Sequence, residues 1–177
     1  MTKHINIMKS KQLLLVFCLF TFYLSLFAQD EFTLVKVGQK APDFFFEIAP
    51  GKTKKLSDLK GKVVWINFFA TWCGPCRQEL PQLQKEVYDK YKNNENFVLL
   101  IFDREHDWAT VNKFKTEQKY TMPFYPDIER KIFSLYAKQN IPRNFIIDKE
   151  GKVAVSSTGF TEKEFGEIVE KVNGLLL

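Results

Sequence analysis

Lys62-Val63-Val64-Trp65-Ile66-Asn67-Phe68-Phe69-Ala70-Thr71-Trp72-Cys73-Gly74-Pro75-Cys76-Arg77 is the stretch whose reading decides the fold. Up to Phe69 it is an almost unbroken apolar run, rich in β-branched and aromatic residues. Such a run reads as a strand buried on both faces, in the middle of a parallel or mixed sheet. From Gln78 to Tyr91 the apolar residues are Leu80, Leu83, Val87, Tyr88 and Tyr91. Those spacings lay one stripe along a helix. The two cysteines therefore stand where a central strand hands over to a helix N-terminus, where chemistry collects in α/β sheets.

A Cys-x-x-Cys pair has several readings. As a structural disulfide it would close a very short loop, worth roughly 2 kcal/mol by loop-entropy arithmetic. A zinc site needs about four ligands, and beyond the N-terminal segment the chain has only Cys73, Cys76 and His106 to offer. No metal is expected, and no cofactor. A redox dithiol suits the position best, because free amide N–H groups and the helix dipole stabilise a thiolate there. Arg77 adds a positive charge.

Trp72-Cys73-Gly74-Pro75-Cys76 after such a strand matches the thioredoxin active-site motif. Gly38-Gln39-Lys40-Ala41-Pro42-Asp43-Phe44, Leu59-Lys60-Gly61-Lys62-Val63-Val64 and Cys-x-x-Cys-Arg-x-Glu-Leu-Pro extend the likeness. From about Gly38 to the C-terminus the chain resembles the TlpA/ResA-like thiol–disulfide oxidoreductases. These are thioredoxin-fold proteins of extracytoplasmic compartments, related to the alkyl hydroperoxide reductase/thiol-specific antioxidant-like group. The resemblance implies an α/β thioredoxin-like fold: a central mixed sheet flanked by helices, an N-terminal β-hairpin and a central βα insertion between about Phe102 and Ala137. That insertion reads equally as additional core or as a partner-binding surface.

The motif order makes Cys73 the exposed nucleophile and Cys76 the more buried resolving thiol, the two alternating between dithiol and disulfide. Pro75 has no N–H to leave unsatisfied in the first turn. Trp72 is either core packing or, as the resemblance favours, a lid beside Cys73. The resemblance also implies a cis peptide at Ile141-Pro142 facing the dithiol, which would leave the Ile141 backbone free to pair with a bound peptide. Arg143-Asn144 departs from the Thr-Thr often found after that proline and would set a second cation near the sulfurs. Thioredoxins carry a buried Asp on the central strand where this chain has Asn67. The TlpA/ResA-like branch uses a glutamate after the motif, which matches Glu79. Glu79 reads as a proton carrier for Cys76, one turn away on the same helix face, or as a first-turn acid that only meets the helix dipole. Pro81 leaves the Arg77 carbonyl without its donor and should kink the helix. His106 reads as a solvated loop residue.

The first 28 residues read as an export signal. Lys3, Lys9 and Lys11 precede an uncharged apolar run from Leu13 to Phe27, and Ala28 offers cleavage before Gln29. An uncleaved anchor is the alternative, although the run is short against the ~20 residues of a membrane span. Removing three lysines takes the net charge from +5 to +2, so the basicity is largely a targeting feature and does not point to nucleic acid. Residues 29–177 then form one thioredoxin-like domain, expected to work as a monomer in the periplasm or another extracytoplasmic space.

Elsewhere the pattern gives a short strand over Phe32 to Val37 and a hairpin of Asp43 to Ile48 with Thr53 to Leu56. Ser57 to Gly61 is a turn or a single helical turn. Phe97 to Phe102 is a second buried strand, and Asp107 caps a helix carrying Trp108, Val111 and Phe114. Met122 to Pro126 ends that unit, after which Asp127 caps a helix turning Ile128, Ile132 and Leu135 inward. Phe145 to Asp148 and Val153 to Val155 form a hairpin. Thr161 to Glu164 is a capping box ahead of a helix burying Phe165, Ile168, Val169 and Val172.

By resemblance the function is reduction of protein disulfides, with electrons from a membrane thiol–disulfide carrier and apocytochrome c as one typical substrate. A thiol peroxidase is the alternative enzyme. Its Pro-x-x-x-Thr-x-x-Cys arrangement is missing, since Ile66 and Ala70 hold the Pro and Thr positions. A metallochaperone of related fold would instead use Cys-x-x-x-Cys and a distant His.

Overall fold

The long apolar runs form the central strands. In the computed structural model, which describes residues 31–177, an antiparallel hairpin comes first: β1 (Phe45–Ala49) with β2 (Lys52–Lys55). The 3₁₀ turn Leu56–Leu59 then feeds β3 (Val63–Phe69), in which every residue is buried. Helix α1 (Gly74–Gln82) runs on through a π-helical stretch, Leu83–Tyr88, into a last α turn, Asp89–Tyr91. After these come β4 (Phe97–Arg104), α2 (Trp108–Glu117), β5 (Phe124–Asp127), the short α3 (Phe133–Tyr136), β6 (Arg143–Ile147), β7 (Val153–Thr158) and α4 (Glu162–Leu176). The predicted export signal and its boundary at Gln29 lie outside the described residues.

The five-stranded sheet has the order β5-β4-β3-β6-β7. β4 runs parallel to β3 with Phe69 opposite Asp103, and β6 runs antiparallel with Asn67 opposite Asn144. The sheet is therefore mixed, and the insertion between β4 and β6 supplies its edge strand β5, parallel to β4. Because side chains alternate along a strand, β3 divides its load. Trp65 and Phe69 pack with Cys76, Leu80 and Leu83 of the α1 region, Val111 and Phe114 of α2, and Phe165 and Ile168 of α4. Val64, Ile66 and Phe68 pack on the other face against Phe44 and Phe46 beside the hairpin and Phe133 and Tyr136 of α3.

Some expectations are corrected. Phe32 to Val37 forms no strand; it makes a single bridge, Thr33 to Ala137, with Leu34 N–H donating to the Tyr136 carbonyl. Met122 to Pro126 is not a terminus, since β5 occupies its second half; proline is tolerated there because β5 is an edge strand. Asp127 does cap, accepting from the Ile132 and Phe133 N–H groups at 2.8 Å each. Yet Ile128 and Leu135 face outward while Phe133 and Tyr136 are buried. The cause is a left-handed step at Glu129 and Arg130 (φ 62° at both), which resets the helical phase after Ile128. Beyond Pro81 the helix widens into the π stretch. Asp107 caps α2 and Thr161 caps α4, through the Thr110 and Glu164 N–H groups.

Candidate active site

At the end of β3 the chain turns through Ala70 to Trp72 and starts α1, and Cys73 is the residue that caps it. Its Sγ accepts from the Cys76 N–H at 3.2 Å, the place a Ser or Asp oxygen takes at other helix starts. Cys73 and Cys76 are joined as a disulfide. Cys76 is wholly buried and Cys73 is 4% exposed. The expectation of an exposed Cys73 is thus corrected for the oxidised form: its sulfur is turned in toward Cys76, and the Ile141 carbonyl oxygen lies 3.8 Å from it. The Ile141–Pro142 peptide is cis. The loop before β6 brings its backbone against the Cys73 sulfur, the placement that the resemblance implies.

Trp72 stands out from the surface, 59% exposed, and its ring is covered on one side by the Arg104 guanidinium, 5.6 Å from the centroid. It does not pack into the core.

Glu79 lies one turn beyond Cys76 on the same face of α1 and is 1% exposed. Its two oxygens take hydrogen bonds from neutral amides, Asn67 Nδ2 at 2.8 Å and Asn144 Nδ2 at 2.6 Å. Asn144 Oδ1 in turn accepts from Asn67 Nδ2 at 2.8 Å and Trp65 Nε1 at 2.7 Å. Burial raises the Glu79 pKa to about 7, against the pull of those two amide bonds. Near neutral pH this carboxyl can therefore hold a proton or release it one helical turn from Cys76, and its two hydrogen-bond partners are both neutral.

Asn144 was not anticipated in this role. The signal available was a polar residue in each of two apolar strands, Asn67 in β3 and Asn144 in β6, at the point where they pair. The anticipated cation near the sulfurs is corrected. Arg143 is fully buried and donates through Nε to the Gln139 and Asn140 carbonyls at 2.9 and 3.2 Å, and through Nη1 to Thr33 Oγ1. Alternation along β6 puts it on the sheet face opposite Asn144. His106 is no free loop residue, because its Nδ1 lies 2.8 Å from Oδ1 of the buried Asp103. Burial pushes the Asp103 carboxyl up to about 6, and His106 opposes that shift. No group of three or more His, Cys, Asp or Glu side chains that could hold a metal ion occurs among the described residues. No helix among the described residues is long and apolar enough to cross a membrane.

Residues 37–156 match the model of the AhpC/TSA family. The chain is 36% identical over 145 residues to the thiol–disulfide oxidoreductase ResA of Bacillus thuringiensis, covering 82% of each chain. It is 34% identical over 140 residues to ResA of Bacillus subtilis, covering 79% of this chain and 76% of that one. Among solved structures, a candidate protein disulfide isomerase from Bacteroides thetaiotaomicron superposes with a TM-score of 0.78 at 37% identity. That match covers 82% of this chain and 92% of the other. A candidate thiol:disulfide interchange protein DsbE from Chlorobium tepidum gives 0.68 at 27% identity, covering 81% and 99%.

Proposed function

Given that this chain belongs to the AhpC/TSA family and is a thiol–disulfide oxidoreductase of ResA type, we propose that it is exported and reduces disulfides of other proteins through Cys73 and Cys76. The observation that carries this reading is the Cys73–Cys76 disulfide at the start of α1, with the buried Glu79 carboxyl one turn further along the same helix face. The Gly74-Pro75 dipeptide between the cysteines, as in the reducing thioredoxins, supports the direction.

The Cys73 thiolate attacks one sulfur of the substrate disulfide; that S–S bond breaks and the other substrate sulfur leaves as a thiolate, which takes a proton. Cys76 then gives its proton to Glu79 and attacks the Cys73 sulfur. The Cys73–Cys76 disulfide forms and the second substrate thiol departs. Two electrons pass from the dithiol to the substrate, leaving the oxidised form described above. Re-reduction needs an external dithiol, for which we propose a membrane thiol–disulfide carrier. During the mixed disulfide, the Ile141 backbone at the cis proline pairs with the substrate chain and Trp72 covers the sulfurs. Location in the periplasm or a comparable space follows from the export signal, and apocytochrome c is the first substrate to try.

Insulin reduction with dithiothreitol as donor tests the activity, with peroxide consumption as the contrasting assay. Titration against glutathione tests direction: the expected potential lies nearer thioredoxin's, about −270 mV, than the oxidant DsbA's, about −120 mV. A value close to the latter reverses the assignment.

A further inference from the structure

We propose that Arg104 and Arg130 form a carboxylate-binding subsite beside Trp72, which selects disulfide substrates carrying an acidic side chain next to the reacting cysteine. The proposal rests on the reductase reading above only for what arrives at the dithiol.

Arg104 closes β4 and is 9% exposed. Its guanidinium lies 5.0 Å from the Phe133 ring centroid and 5.6 Å from that of Trp72. Among the described residues its Nε and Nη1 have no hydrogen-bond partner although both atoms are buried. Arg130 lies 5.2 Å from the same Phe133 ring, and its buried Nε also lacks a hydrogen-bond partner there. Its Nη2 donates to the Lys138 carbonyl at 3.0 Å, which fixes the side chain in place. Both arginines face one oxygen of Glu105, Arg104 Nη2 at 3.6 Å and Arg130 Nε at 3.6 Å. Neither distance is a hydrogen bond.

A buried guanidinium with unused N–H groups is costly. The N–H edge of a planar guanidinium fits a carboxylate in a two-bond fork, and here a carboxylate reaches it by taking the place of Glu105. Two acids lie near the two cations: Glu105, which faces both, and Asp127, which interacts with Arg130 but spends its oxygens on the Ile132 and Phe133 N–H groups. The neighbouring Asp103 is turned by alternation along β4 to the opposite face, where it is bound to His106. Glu105 is half-exposed and held at φ 94°, a loose internal occupant that an incoming carboxylate replaces. Trp72 directly precedes Cys73, so a substrate side chain reaching the arginines lies within a residue or two of the cysteine joined to Cys73.

The test uses two short peptide disulfides that differ only in Glu or Gln beside the cysteine, with the reduced protein as reagent at low ionic strength. The ratio of kcat/KM for the two peptides is the readout, which is insensitive to any overall loss of folded protein. We expect about tenfold in favour of Glu, the range of a charge-assisted pair. Arg130→Gln and Arg104→Gln should bring the ratio toward one, and Glu105→Gln should raise it. Arg130→Glu should turn the preference toward a lysine-bearing peptide. A ratio near one in the wild type, or one unaltered by Arg130→Gln, overturns the proposal. A second arm needs no turnover: the same peptides with Ser for Cys are titrated into the oxidised protein while the arginine Nε–H and Trp72 Nε1–H resonances are followed by NMR. Shifts with the Glu peptide and not the Gln peptide support the subsite even if neither disulfide peptide is reduced, in which case the reductase reading alone fails. The same shifts with acetate at equal concentration would make this a small-anion site and overturn the proposal.

Discussion

Glu79 and Asp103 are both carboxylic acids shut off from water near the dithiol end of the sheet, and they are held in opposite ways. Glu79 sits among neutral amides and titrates near 7. Asp103 sits against an ionisable imidazole and titrates near 6. A proton leaving Glu79 breaks no ion pair, as the proposed transfer to and from Cys76 requires. Asp103 is held in direct contact with His106 Nδ1, which favours its charged form. Burial raises the pKa of both acids, and what differs is whether the partner is neutral.

That contrast presupposes a working dithiol, and the largest effect tests it. Cys73→Ser should abolish exchange, whereas Cys76→Ser should still attack and accumulate mixed disulfides, because only the resolving step is lost. Non-reducing gels after incubation with substrate read this directly, and equal trapping by both variants would reverse the roles.

Next is Glu79→Gln, which should slow exchange at pH 7 on the order of a hundredfold and remove the inflection near pH 7 from its pH profile. Stopped-flow rates between pH 5 and 9 for Glu79→Gln beside Asp103→Asn sharpen the comparison. If Asp103→Asn flattens the profile equally, the two acids act as one unit and the distinction collapses.

Third, stability should report the same proton. The folded Glu79 pKa of about 7 lies above the ordinary 4.5, so between those values the native state binds more protons than the unfolded chain. Stability is then fully present below pH 4.5 and is lost as pH rises through 7, by on the order of 3 kcal/mol. Denaturant unfolding of the oxidised protein should show that loss, and Glu79→Gln should remove its upper part. Asp103, raised from 3.8 to about 6, should leave a lower window of the same sign. The smallest effect is His106→Ala, which leaves a buried carboxylate without its partner and should cost about 1–3 kcal/mol at pH 7. The cost should shrink below pH 6, where Asp103 is neutral, and the exchange pH profile should stay in place.

Much of this was legible because it is local. The β3 run, the helix after it and the caps Asp107, Asp127 and Thr161 each follow from a few adjacent residues. Cys73 and Cys76 stand out in one motif, and the family resemblance singles out Glu79, which helical spacing puts on the face of Cys76. What escaped depends on register or on backbone steps that no side chain announces. Asn144 joins Glu79 only because β6 pairs with β3 at Asn67, and the same alternation carries Arg143 to the far face. Ile128 and Leu135 were assigned inward because an unbroken helix was assumed across Glu129 and Arg130, two non-glycine residues at positive φ. Arg104 at the end of an apolar strand carries no sequence signal; only the fold brings it beside Trp72 and Phe133.

Pro126, which looked like punctuation in the sequence, has a consequence for how the molecule meets other chains. It lies in a four-residue edge strand opposite Asp103, and it has no N–H with which to build a ladder. Beyond it Glu129 and Arg130 bend the backbone away at once. An exposed edge can be extended strand upon strand by another chain. A short edge with a missing donor resists that, which under the proposed function leaves the backbone at Ile141 as the place for a substrate chain to pair.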